Sequence, residues 1–235
     1  MMSSLLCLKD VHTHIGQYHI LQGINLEIVE NEVNVLLGRN GAGKTTTLKT
    51  IMGLTPASKG SIHLRTAEIT KKMTHDIANL GIGYVPEDQG IFGDLTVGEN
   101  LRVAMRKENE HTLQKQDYIL TLFPDLKKFW NKAGGKLSGG QKQMLAMARA
   151  FINDSQILLI DEPSKGLAPI VVEKVMEAVN EMKKTTTIVL VEQNFRFAAK
   201  VADRFYLMDH GRMTAEFSVA ELPQRMEFLN RELGV

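Results

Sequence analysis

A single cysteine, Cys7, stands among 235 residues. No disulfide can form within the chain, and a lone thiol suits a reducing compartment and reads as a small buried hydrophobe. An excess of either charge is lacking too: 28 Lys and Arg against 27 Asp and Glu leave a net charge of +1. Nucleic-acid binders usually show a strongly basic face, so no nucleic-acid partner is expected. Long hydrophobic runs are missing. None reaches the ~18 apolar residues that a membrane span needs, and the most apolar stretches, QILLID (156–161) and TIVLVE (187–192), are strand-sized. The N-terminal stretch predicts no targeting segment, because its apolar run is short and meets charge within a few residues. Repeats, low-complexity tracts and flexible linkers are likewise missing. If the protein works at a membrane, it works from outside the bilayer.

What is present is an alternation of short apolar runs with helical periodicity. INLEIVE (24–30) alternates as a half-exposed strand does, VNVLL (33–37) reads as a buried strand, and KGSIHLR (59–65) as a hairpin return. TTTLKTIMGL (45–54) is a helix ended by Gly53 and Pro56. From about Thr96 to Phe151 the pattern turns helical, opening on a Thr96–Glu99 capping box. Strand and helix then alternate again, followed by a hairpin with His210-Gly211 at its turn and a short helical tail. This order predicts a parallel α/β core carrying an inserted helical subdomain. The division expected is a core of about 1–90 and 152–215, an insert of about 91–151 and a tail of about 216–235.

The chemistry concentrates in three places. GRNGAGKTTT (38–47) meets G-x-x-x-x-G-K-[ST] in full through Gly38, Gly43, Lys44 and Thr45, between a buried strand and a helix. Such a loop turns backbone N–H groups onto phosphate oxygens: Asn40, Gly41, Ala42, Gly43 and Thr46 supply them, Lys44 reaches the β- and γ-phosphates, and the Thr45 hydroxyl is a Mg²⁺ ligand. The expected ligands are therefore ATP and Mg²⁺. Downstream, QILLIDEP ends a buried strand in Asp161, expected on Mg²⁺, and Glu162, expected as the general base for an attacking water. The third place is KLSGGQKQ (136–143), a second glycine-rich helix start. Ser138 and Gln141 fit a capping box, so a well-capped helix is the competing reading. Two glycines in a first turn each cost ~1 kcal/mol against alanine, which makes sense where something must approach the backbone closely.

LSGGQ upstream of ILLIDEP, with the phosphate loop far before both, resembles the ATP-binding subunits of ABC transporters over essentially the whole chain. The wording of LLGRNGAGKTTTLKTIMGL, GIGYVPEDQGIF, LTVGENL, DEPSKGLAP and LVEQN is similar to the LivF-type subunits of branched-chain amino acid importers, and urea and amide importers share much of it. The resemblance implies a P-loop NTPase (RecA-like) fold with an N-terminal antiparallel β subdomain, and a head-to-tail dimer in which Ser138, Gly140 and Gln141 of one subunit reach the ATP of the other. It further implies transmembrane permease partners, a second ATPase or a second copy of this chain, a solute-binding protein acting indirectly, and a peripheral place on the cytoplasmic face of the inner membrane.

By the same resemblance Glu87 stands where a glutamine usually meets Mg²⁺, Gln193 replaces the switch histidine as a γ-phosphate partner, and Ile15 replaces the aromatic residue that stacks on adenine, with Tyr18 nearby. Gln193 donates a hydrogen bond but carries no charge. Lys165 falls where two subunits meet, or is a solvated lysine. Met144 and Met147 read as core. His12 and His14 share a strand face, as a metal pair would, but lack an evident third ligand. A soluble nucleic-acid-acting ATPase would need a coiled-coil insertion, a second cassette or a basic arm. A P-loop small-molecule kinase leaves LSGGQ unexplained, and a non-hydrolysing switch leaves Glu162 so.

Overall fold

The computed structural model describes residues 4–233; the last two residues of the expected tail lie outside them. Two sheets form. The first is antiparallel, in the order β2 (Tyr18–Val29), β1 (Ser4–Ile15), β4 (Lys59–Leu64), β5 (Ala67–Glu68). The second runs β10 (Arg212–Ser218), β9 (Arg204–Asp209), β3 (Val33–Leu37), β8 (Thr187–Glu192), β7 (Ile157–Asp161), β6 (Ile82–Val85). It is parallel except at β10, which returns antiparallel on β9 through the expected His210-Gly211 turn. Both turn residues have positive φ, 43° and 76°, as a tight primed hairpin requires.

The central strands are buried on both faces, and their alternation sorts side chains into two cores. Val33, Val35, Leu37, Leu158, Ile160, Ile188 and Leu190 face one core, with the helices of the middle segment, α7 (Pro169–Met182) and α8 (Phe195–Val201). Leu36, Leu159, Val189 and Val191 face the other, with the four-stranded sheet and α1 (Lys44–Ile51) through Leu48 and Ile51. The six-stranded sheet is thus sandwiched, and its strand ends open toward the loops that carry the chemistry.

The remaining helices are α2 (Thr74–Asn79), α3 (Val97–Ala104), α4 (Glu110–Leu122), α5 (Pro124–Lys128), α6 (Gly139–Phe151) and α9 (Leu222–Leu233). Both expected capping boxes form. Glu99 N donates to Thr96 Oγ1 at 3.2 Å and Thr96 N to Glu99 Oε2 at 2.7 Å. At α6, Gln141 N donates to Ser138 Oγ at 3.4 Å and Ser138 N to Gln141 Oε1 at 3.0 Å. Met144 and Met147 are buried on α6, as core residues. The strand β10 runs to Ser218, past the expected start of the tail, because Phe217 is buried against Phe205.

Candidate functional site

The loop 38–43 turns sharply from β3 into α1, and its glycines are required by neighbours as much as by phosphate. A Cβ on Gly38 would lie 2.4 Å from the Met208 carbonyl of β9. Gly43 has φ 104° and packs against Leu21 and Met208, where a Cβ would meet their side chains at 3.0 and 3.2 Å. Lys44 is 4% exposed, and its Nζ donates to Gly38 O at 2.8 Å and Arg39 O at 3.1 Å. Burial pulls its pKa below the usual lysine range, against the opposing pull of Glu162, Asp161 and Glu192.

Thr45 Oγ1 donates to Asp161 Oδ1 at 3.0 Å, joining the first turn of α1 to the end of β7. Asp161 is buried, and desolvation raises its pKa to about 6 even though Thr45 stabilises the anion. Its second oxygen, Oδ2, is buried and makes no hydrogen bond among the described residues. A hydroxyl and a half-satisfied carboxylate are the hard oxygen donors that suit Mg²⁺, which binds through one or two protein oxygens and fills its shell with phosphate and water. Glu87 lines the same cleft as Thr45 and Asp161, so all three expected metal residues converge.

Glu162 follows with φ 45°, a left-handed conformation that non-glycine residues rarely adopt. Its amide is held by Val191 O at 2.9 Å. Its carboxylate lies 3.8 Å from Lys44 Nζ on one oxygen and 3.4 Å from Lys165 Nζ on the other. Lys165 in turn donates to Glu87. A cavity of about 300 Å³ is lined by Asn40, Gly41, Gly43, Lys44, Thr45 and Thr46 together with Glu87, Glu162 and Lys165. A neighbouring cavity of about 320 Å³ shares Glu162 and Lys165 and adds Gln193 and Asn194.

Glu192 was not singled out by the sequence reading. It is 2% exposed, and its carboxylate accepts from Ser164 N at 3.0 Å, Gln193 N at 3.1 Å and Asn194 N at 3.0 Å. Burial nonetheless raises its pKa. Its only sequence signal is a charge ending an otherwise apolar strand, which ordinarily reads as solvent-facing.

Ile15 lies at the tip of the β1–β2 hairpin, paired with Tyr18; both are exposed and neither lines the phosphate-loop cavity, whereas Ile20 does. His12 and His14 form no metal pair: they stack on His19 with ring centroids 5.1 and 4.3 Å away, and His12 Nδ1 lies 3.0 Å from His19 Nε2. Nor is any group of three or more His, Cys, Asp or Glu among the described residues placed to hold a metal by itself. The two signature glycines also differ. A Cβ on Gly140 would lie 2.5 Å from Val171 Cγ1 of α7, while one on Gly139 meets nothing within 4 Å. Packing against Val171 therefore requires a glycine at position 140, whereas position 139 faces open space. Ser138, Gly140 and Gln141 are outside the phosphate-loop cavity of their own chain.

Comparison with known proteins follows this geometry. Residues 21–165 match the family described as ABC transporter. The chain is 37% identical to the high-affinity branched-chain amino acid transport ATP-binding protein BraG of Pseudomonas aeruginosa, over 98% of this chain and 100% of that one. It is 35% identical to LivF of Archaeoglobus fulgidus, named a probable branched-chain amino acid transport ATP-binding protein, over 97% and 99% of the two chains. Among solved structures it is similar to a dimeric post-hydrolysis ATP-binding cassette bound to ADP and phosphate, with a TM-score of 0.80 and 25% identity over 91% of this chain and 98% of that one.

Proposed function

This chain belongs to the ABC transporter family, as an ATP-binding and ATP-hydrolysing subunit, and we propose that it powers the import of branched-chain amino acids. The observation that carries the reading is the cavity that gathers Lys44, Thr45 and Glu162 around the phosphate loop, with the Ser138 turn held elsewhere on the same chain. Two copies, or this chain and a second ATPase, close head to tail on ATP, and Ser138, Gly140 and Gln141 of each reach the nucleotide seated in the other. The likeness to BraG and LivF supports the solute class. No helix among the described residues is long and apolar enough to cross a membrane. In this reading the chain docks from the cytoplasmic face onto transmembrane permeases that a solute-binding protein supplies. The core of about 1–90 and 152–215, the insert of about 91–151 and the tail of about 216–235 divide the work between nucleotide and partner.

Within one site, the N–H groups of residues 40–46 and the Lys44 ammonium hold the β- and γ-phosphates. Thr45 Oγ1 and Asp161 would hold Mg²⁺, with Glu87 beside them, and the ion would neutralise charge on the phosphate oxygens. Glu162, held in its strained conformation between two lysines, orients a water and takes its proton. The Gln193 amide donates to the terminal phosphate from the adjoining cavity.

Affinity purification of the tagged chain from gently solubilised membranes of its host tests this reading. Two hydrophobic permeases and a second ATPase should come with it, together with a branched-chain amino acid-binding protein. Recovery of soluble nucleic-acid complexes and no membrane protein would refute the transport role and leave the ATPase.

A further inference from the structure

Two polar atoms of the site are buried yet make no hydrogen bond among the described residues: the Tyr84 hydroxyl and Asp161 Oδ2. Strand register brings them together. Tyr84 on β6 pairs with Leu159 on β7, and Ile82, Tyr84, Ile157 and Leu159 all face the core shared with the four-stranded sheet. Alternation along β7 turns Asp161, two residues past Leu159, to that same face, so Tyr84 and Asp161 are diagonal neighbours. Both line a cleft of about 560 Å³ together with Thr45. Burial first, then the charge of Asp161, raises the pKa of the phenol, which keeps its proton. Packing does not account for the hydroxyl. A phenylalanine ring would fill the same place against the core, and a buried hydroxyl left unpaired costs stability.

We propose that Tyr84 is a positioning residue of the metal centre, whose hydroxyl fixes a water of the Mg²⁺ shell beside Asp161. The inference rests on the reading of Thr45 and Asp161 as Mg²⁺ ligands. Mg²⁺ takes few protein oxygens and keeps several waters, so most of its shell is left to water and phosphate. A water bound to the ion has its lone pair on the metal and donates its protons, and the phenol oxygen accepts one of them. The phenol's own proton is left for Asp161 Oδ2, the unpaired acceptor beside it. Around this pair Glu87 and Asp88 attract the ion through charge, Lys49 opposes it, and Leu54 and Pro86 bring no polar side-chain atom. Tyr84 is the one neutral polar side chain described along the cleft besides Thr45. It does not line the phosphate-loop cavity, so its effect falls on the metal and not on the phosphate contacts. Partners that orient the ligands of a metal contribute ten- to a hundredfold in metal affinity, roughly.

The test reads metal binding, not turnover, with Mn²⁺ as the probe ion. Mn²⁺ is titrated into the chain holding AMP-PNP, and the free ion is read by electron paramagnetic resonance. Tyr84→Phe should hold Mn²⁺ about tenfold more weakly than the parent. In EDTA the two chains should bind AMP-PNP equally. Metal-free Tyr84→Phe should melt at or above the parent, since it no longer buries an unpaired hydroxyl. Equal Mn²⁺ affinity in the two chains would overturn the proposal. So would a variant that loses Mn²⁺ and AMP-PNP binding in EDTA together, because that pattern marks a distorted site. A parent chain that binds no AMP-PNP would overturn the ATP reading, and one that binds AMP-PNP but no Mn²⁺ would overturn the metal assignment of Thr45 and Asp161. Both are distinct from a failure of Tyr84.

Discussion

Thr45 and Asp161, 116 positions apart in sequence, share a hydrogen bond of 3.0 Å in the buried floor of the site. The bond ties the phosphate-loop helix to the strand that ends in Glu162. It satisfies one carboxylate oxygen and leaves the other for a cation.

The energetic consequence is a pH-dependent stability. Asp161 has its pKa raised from 3.8 to about 6 in the folded chain, so between those values the folded state binds the proton that the unfolded state has released. Its contribution is present in full below about pH 4 and is lost as pH rises through about 6. Thermal melting of the Mg²⁺-free protein across that window should fall more steeply than melting of Asp161→Asn. A variant whose profile parallels the parent would contradict the assignment.

Lys44→Ala removes the ammonium that faces both the loop carbonyls and Glu162. Losing a charged partner of phosphate costs about 1.5–3 kcal/mol, so calorimetry should show ATP binding weakened roughly ten- to a hundredfold. Undiminished binding would reject the phosphate-loop role.

The two signature glycines separate cleanly. Gly140→Ala places a methyl against Val171 and should destabilise the chain by about 1–3 kcal/mol. Gly139→Ala faces open space in the first turn of α6 and should raise the stability of the isolated chain by up to about 1 kcal/mol, yet weaken ATP-dependent dimerisation in sedimentation runs. Equal effects on stability would show that packing does not distinguish them.

Glu192→Gln tests the buried hub. The carboxylate serves three backbone N–H groups with two oxygens, and an amide has only one acceptor oxygen, so at least one N–H loses its partner. The expected cost is about 1–3 kcal/mol of stability, read as a lower midpoint in urea. An unchanged midpoint would mean that the loop and the Gln193 segment are held by other contacts.

Much of the fold was legible because local signals agreed with the tertiary result. The phosphate loop, the Asp161 strand, both capping boxes and the His210-Gly211 hairpin are each set by residues adjacent in sequence. What the sequence hid depends on register or on distant partners. The β1–β2 hairpin has register shifts at Leu8/Val11 and Thr13/His14, and such bulges break the alternation by which Ile15 would be placed on a face. The contact of Lys165 with Glu87 spans 78 positions, beyond any periodic pattern. Glu192 is buried because three amides converge on it, and no spacing rule announces that.

The central claim is hydrolysis with Glu162 as the base. Phosphate release from the purified chain with Mg²⁺ and ATP, set beside Glu162→Gln under the same conditions, tests it most directly. The account predicts a measurable rate for the parent, a loss of roughly 10²–10⁴-fold in the variant, and retained ATP binding in both. Near-normal phosphate release by Glu162→Gln would contradict it.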